Sequence, residues 1–400
     1  MATYVLNELP PTPGDGGDNL VAWTRGLRET SPVWFNDVIK VWHVFDYAST
    51  LQILSDTTTF SSDLSAIAPA RLFMEGNFMR MDPPEHRKYR RLISQAFTAR
   101  TVAGLEARIT EIVHELLDEA AGLERFDLVQ TLSFPLPVTV IAELLGVSAA
   151  DQPLFRKWAD DMFSANFDKP FDPDRIKEVE DAAMPMHDYL LEHVRQRRQE
   201  PREDLITRLV QAEVDGERLN DEEAVTFAAL VLIAGHVTTT LLLNNAVRCL
   251  DENPELFDSL RADPSTISPL IEEVLRYRPP FLGVPRMTTA EVRLGAETIP
   301  AGQLVIPSLL AANRDPAQFP DPDRFDPSRD NAHVAFGYGI HFCLGAPLAR
   351  LEARIALEIL LERYAELRID DSEQTEYFLA QGILGPKRLP VEVRAAAPRR

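Results

Sequence analysis

The sequence predicts a mainly α-helical fold, a helix-rich single domain with small β-sheets, and three observations carry that prediction. Apolar residues recur at helical spacing through most of residues 101–250 and again behind Pro347, where Leu348, Leu351, Ile355, Ile359 and Leu360 share a face. Strand-like alternation is short and confined to residues 30–60 and 291–309. A chain of 400 residues with 45% apolar and 8% aromatic side chains can fill a substantial core. Length alone would allow two or three domains. The motifs taken up below fall along nearly the whole chain, so residues 1–400 read as one domain, with 1–18 as a flexible extension.

Forty-one basic against sixty-two acidic residues give a net charge of -21, which argues against nucleic acid or an anionic membrane as the main partner. Two cysteines exclude a disulfide framework and suit a reducing cytoplasm. Met1–Asp18 holds Pro10, Pro11 and Pro13 with no basic-then-apolar order, so it reads as neither signal peptide nor membrane anchor. Ala224–Leu243 is close to membrane-spanning length. Gly235, His236 and three threonines interrupt it, and the expectation is a buried central helix.

In chain order, Val33–Phe35 and Val41–Phe45 read as two strands of a small sheet. Ser61–Arg80 is loop-like yet carries Leu64, Ile67, Leu72, Phe73, Met74, Phe78 and Met79, which suits either a lid over a nonpolar ligand or packing on the core. Asp82–Leu92 opens a helix on which His86 and Arg90 share one face, either solvated or aimed at an anion. Trp158, Met162, Phe163, Phe167 and Phe171 fit core packing or a ligand-entry loop. In Leu232–Leu243, Thr238, Thr239 and Thr240 weaken a helix and either bond back to the backbone or serve a partner. Glu273 and Arg276, three apart, would ordinarily be a surface helix pair. Phe281–Val284 is apolar and precedes Arg286 in a strand-like stretch, residues 291–309 read as a hairpin, and Gly382–Leu384 forms a turn.

Phe336–Gly345, F-G-Y-G-I-H-F-C-L-G, lies just before the helix that Pro347 opens. Its glycines permit a tight turn and let backbone lie against a flat, bulky group. Cys343 near a helix N-terminus is favoured as a thiolate, a soft-metal ligand, although a single intracellular cysteine is more often inert. His341 and Cys343 supply only two of the four ligands zinc requires, and Cys249 lies in another helix. One thiolate before open space is the arrangement that holds haem iron in thiolate-ligated oxygenases.

These ten residues resemble the haem-binding loop of the cytochrome P-450 family, F-G-x-G-x-H-x-C-x-G, at every specified position. The resemblance implies the P-450 fold, haem b (iron protoporphyrin IX) with Cys343 as axial iron ligand, and Phe336, Gly337, His341, Gly345 and Ala234 around the haem. It implies propionate contacts from His86, Arg90 and Arg286, and a buried structural pair of Glu273 and Arg276 joined by Arg324. Ala234, Gly235 and Thr238 match the A-G-x-(acid)-T motif over the oxygen-binding face, with Val237 where the acid stands. Thr238 and Cys343 are the implied catalytic residues. Ile67, Phe73, Met74, Phe78, Val237, Phe281, Leu282, Val284 and Ile383 are the implied substrate lining.

The implied reaction is hydroxylation of a C–H bond with O2. No flavin or dinucleotide fingerprint follows a strand and opens a helix, so electrons are expected from a separate ferredoxin and ferredoxin reductase. Arg87, Lys88, Arg91, Arg350 and Arg354 are expected to form a basic patch for that acidic carrier. The segments F-P-L-P-V-T-V-I-A-E-L-L-G and A-G-H-V-T-T-T are similar to those of macrolide-tailoring hydroxylases, which implies a large lipophilic natural product as substrate. Terpenoid or steroid hydroxylation, a peroxide-driven peroxygenase and a non-catalytic haem-binding protein are the alternatives.

Overall fold

The central helix, Asp221–Glu252, organises the core. Asn220 and Glu223 close a capping box at its start: the Asn220 side chain accepts from the Glu223 N–H at 2.9 Å, and the Glu223 carboxylate accepts from the Asn220 N–H at 2.7 Å. Apolar residues on nearly all sides then require burial all round. By length and composition the helix could cross a membrane, but 67% of its most apolar window is buried within the protein. The computed structural model describes residues 9–67, 73–163, 173–380 and 382–397.

Helices Pro135–Leu145, Pro173–Gln199, Ile267–Tyr277 and Ala346–Arg363 pack around the central one, and one apolar cluster runs from Phe78 to Val393. The predicted strands appear as Val33–Asn36 and Val41–Val44, paired antiparallel. They join a five-stranded sheet in the order Val33–Asn36, Val41–Val44, Leu304–Pro307, Arg286–Thr288, Phe60–Ser61. The stretch expected as a single hairpin divides. Val292–Leu294 and Glu297–Ile299 form the hairpin, while Leu304–Pro307 leaves it to pair parallel with Val41–Val44. Tyr364–Ile369, Pro390–Ala395 and Arg125–Asp127 make a second sheet.

The expectation of a flexible extension through residue 18 is corrected for Pro13–Gly17. Pro13, Gly16 and Gly17 are buried, and the Gly16 carbonyl accepts from Arg248 at 3.2 Å and Arg278 at 3.3 Å. Two buried guanidiniums need acceptors there, and docked backbone supplies one. Residues 1–8 lie outside the described residues. So do Phe167, Phe171 and Leu72; Trp158 packs in the core against Phe155 and Tyr189.

The first sheet holds an aromatic stack. His43 lies between Trp34 and Phe45, with ring centroids 5.8 and 6.0 Å away, and Trp23 meets it edge-on. Burial pushes the His43 imidazole down to about 4 from 6.5, so the folded protein holds it neutral. A depressed histidine pKa means that the unfolded chain binds the extra proton, and stability falls as pH drops from about 6.5 towards 4. A loss on the order of 3 kcal/mol is expected from this residue. In urea titrations at pH 6.5 and pH 4, His43→Phe should lose correspondingly less stability than the parent protein.

Candidate active site

The loop that carries Cys343 is folded by its own backbone. The Cys343 N–H donates to the Phe336 carbonyl at 2.9 Å and the Phe342 N–H to Gly339 at 3.1 Å, so the chain doubles back before entering Ala346–Arg363. Gly339 has φ +70°, and a Cβ there would stand 2.9 Å from the Leu54 carbonyl oxygen; the glycine is required by both conformation and space. Pro347 sits in the helix's first turn, as expected. Burial pushes the Cys343 thiol up, while the N–H groups of Gly345 and Ala346, then Arg90 and Arg350, pull it back towards the thiolate. The helix-start effect read from the sequence is present, but burial outweighs it in the free thiol.

Four donors converge beside this loop. The His86 and His341 rings lie 4.3 Å apart, Arg90 donates to the Phe342 carbonyl at 2.8 Å, and Arg286 is buried with its guanidinium bonded to its neighbour's carbonyl, Pro285 O. His341 meets Ser62 Oγ at 2.9 Å. Asp82 is the carboxylate among them, held by Ser61 and by the Ser62 N–H. Burial, then Arg286, His86 and Arg90, push the His341 imidazole down to about 3. Burial also lowers His86 and Arg286, partly offset in each by Asp82. His86 Nε2 is buried with no hydrogen-bond partner among the described residues. Buried and half-buried donors in excess over acceptors suit added carboxylates, and the two propionates of haem b are such groups. The residues present fit that cofactor.

The central helix is not buried along its whole length. Ala234 is exposed although it lies midway along a buried helix, and Thr238 is half-buried one turn on. Thr238 Oγ1 donates to the Ala234 carbonyl at 2.6 Å, and Thr239 and Thr240 likewise bond back four residues. The back-bonded arrangement is therefore real, yet it leaves the Thr238 lone pairs free to accept. Val237 is buried with Leu241, Ala380 and Ile383.

Glu273 and Arg276 are fully buried and doubly bonded at 2.7 Å. The expected third partner needs correction. Arg324 offers Arg276 its backbone carbonyl at 3.2 Å, whereas Arg329 brings its guanidinium to 3.5 Å from Glu273. Asn331 also donates to Glu273, at 2.9 Å. Spacing along the meander could not choose between the two arginines, because the turn between them decides which one points inward.

Four of the five cations expected in a basic patch are ion-paired. Lys88 pairs with Glu217, Arg91 with Asp215, Arg350 with Glu272 and Arg354 with Glu106 and Glu358, so these cations are neutralised within the chain. Burial opposes ionisation of Glu272, but Arg350 and His333 hold it down to about 2. Arg87 is exposed.

The expected lining residues separate into groups. Val237 and Ile383 share a cluster, and Ile383 pairs with Phe281 by a backbone bridge. Alternation along that strand-like stretch turns Leu282 the other way, into a core with Trp23, Phe45 and Leu310. Val284 packs with Leu54, Leu309 and Val334, and Ile67 with Val41, Leu64, Met287 and Leu304. Phe78 is buried between His86, Arg90 and Phe227; Met74 Sδ accepts from Arg80, and Phe73 meets His187. Sequence reasoning missed Ser62, Asp82, Arg329 and Asn331. Their partners lie tens to hundreds of positions away, and no local pattern marks them.

A family model described as Cytochrome P450 matches residues 40–392. The erythromycin C-12 hydroxylase of Saccharopolyspora erythraea is 46% identical over 399 residues, covering 98% of this chain and 99% of that one. The cyclomarin C epoxidase CymV of Salinispora arenicola is 46% identical over 387 residues, covering 95% and 97%. Among solved structures, a mutant of P450 EryK in complex with erythromycin B superposes with a TM-score of 0.92 at 44% identity, covering 98% of this chain and 99% of that one. With a cysteine loop, a carboxylate-hungry donor cluster beside it, a central helix exposed at Ala234, and a family match over most of its length, the chain belongs to the cytochrome P450 family and is a haem b monooxygenase.

Proposed function

We propose that this enzyme hydroxylates a large lipophilic natural product, a macrolide first among them, in the cytoplasm, using O2 and electrons from a separate ferredoxin and ferredoxin reductase. The observation that carries the substrate class is the 46% identity over 98% of the chain to an erythromycin C-12 hydroxylase. When bound, the haem supplies the iron at which O2 is activated and one oxygen atom is inserted into a C–H bond.

The chain's own residues do the rest. Cys343 would be the iron ligand, and the Gly345 and Ala346 N–H groups that favour its thiolate would stabilise the negative sulfur. His86, Arg90, Arg286 and His341 would hold the propionates, whose negative charge would offset the cations that, after burial, lower His341. Thr238, its proton committed to Ala234 O, accepts a hydrogen bond from water and holds it on the open side of the helix. Val237 carries no proton, so delivery runs through water at Thr238 or through the substrate. Ion pairing of Arg91, Lys88, Arg350 and Arg354 weakens the electrostatic steering each would offer the ferredoxin.

A compound panel read by the low-to-high-spin shift tests the substrate class: macrolactones should give the largest shift, and a shift confined to steroids or terpenoids would reassign it. Cys343→Ser should abolish the thiolate signature of the ferrous–CO difference spectrum; an unchanged spectrum would sink the ligand assignment. Thr238→Ala should bind substrate within about twofold of the parent yet form at least about tenfold less product per NADPH consumed. Tight coupling in that variant would remove Thr238 from the proton path.

A further inference from the structure

The apolar segment Phe73–Phe78 is held at one end of the central helix by a set of contacts that the haem site does not use. Gly76, at φ +76°, lies so close to the helix start that a Cβ would stand 2.9 Å from Glu223 Cα. Asn220 donates to Glu75 at 2.6 Å, and Tyr89 to Glu223. Asn77 ties the segment together, donating to the Phe73 carbonyl at 3.0 Å and accepting from the Met79 N–H at 3.2 Å. Phe78 rests on Phe227, which lies two turns before the exposed Ala234 and on the same face. The segment therefore packs on the face of the central helix that carries Ala234, two turns earlier.

Its other end meets His187, on the helix Pro173–Gln199. Phe73 has φ +54°, a conformation a phenylalanine keeps only under constraint, and its ring centroid lies 6.0 Å from that of the imidazole. His187 Nε2 is 2.8 Å from Glu222 on the central helix, and Nδ1 is 3.2 Å from Asp188 on its own helix. Two carboxylates, one on each ring nitrogen, need two N–H donors. A neutral imidazole has one, and only the imidazolium has both.

We infer that His187 is a pH-responsive latch: as an imidazolium it ties its helix to Glu222 and gives the Phe73 ring a cationic neighbour, and on losing its proton it releases the Phe73 end of the segment. The charged groups acting on His187 are Glu222 from the central helix and Asp188 from its own; the segment itself presents the neutral Phe73 ring. Burial opposes the charge, but the bonds from Glu222 and Asp188 outweigh it and raise the pKa, so the latch is made at low pH and lost as pH rises through that raised value. The ring contact adds a cation–π attraction only while the proton stays.

Amide hydrogen exchange of residues 73–80 in the haem-loaded protein tests this without any substrate, and so independently of the macrolide reading. Corrected for intrinsic exchange, protection should fall about fivefold or more between about pH 6 and about pH 8.5. His187→Gln, which keeps a donor for Glu222 but cannot charge, should flatten the profile. Glu222→Gln should move the transition to lower pH. A flat profile in the parent protein, or a His187→Gln profile like the parent's, overturns the latch.

Discussion

The buried Glu273–Arg276 pair is the constraint on which the rest of the site depends. Arg276 spends its remaining donors on the carbonyls of Asn313, Pro322 and Arg324, and Glu273 accepts from the Asp326 N–H and from Asn331. One helix thus fixes the irregular segment 313–331. Five residues later the Cys343 loop begins, so its position is inherited from that network. Removing one member of such a pair leaves an unpaired buried charge, at a cost of about 3–5 kcal/mol, and frees the meander with it.

The haem-side electrostatics follow the opposite rule. At Glu273 every charge is answered by the protein. In the His86, Arg90, Arg286 and His341 cluster the answer is incomplete, and the deficit shows as histidines held neutral by burial and by neighbouring cations. A deficit of acceptors in a buried place is how a fold can reserve a position for an anionic cofactor. Arg350 links the two regions, since it bonds Glu272 beside the buried pair and lies 4.6 Å over the Phe336 ring of the cysteine loop.

The central helix serves both sides of the chemistry. Its capped start anchors the Phe73–Phe78 segment and its middle opens at Ala234 and Thr238, while Val237 turns away into the cluster with Ile383. The aliphatic residue in place of an acid is thus a packing residue.

The sequence by itself determined the helix-rich class, the central helix, the position of the cysteine loop, and the pairing of Glu273 with Arg276. All of these rest on spacing within a few residues, where helix geometry leaves little choice. Only the tertiary structure decided that Arg329 rather than Arg324 reaches Glu273, that four cations of the expected basic patch are ion-paired, that Leu282 faces the core, and that Pro13–Gly17 is docked. Each of these depends on which distant side chain arrives opposite, and on the one-residue phase of a turn or strand. Local sequence leaves that phase open until packing and buried charge select among the alternatives.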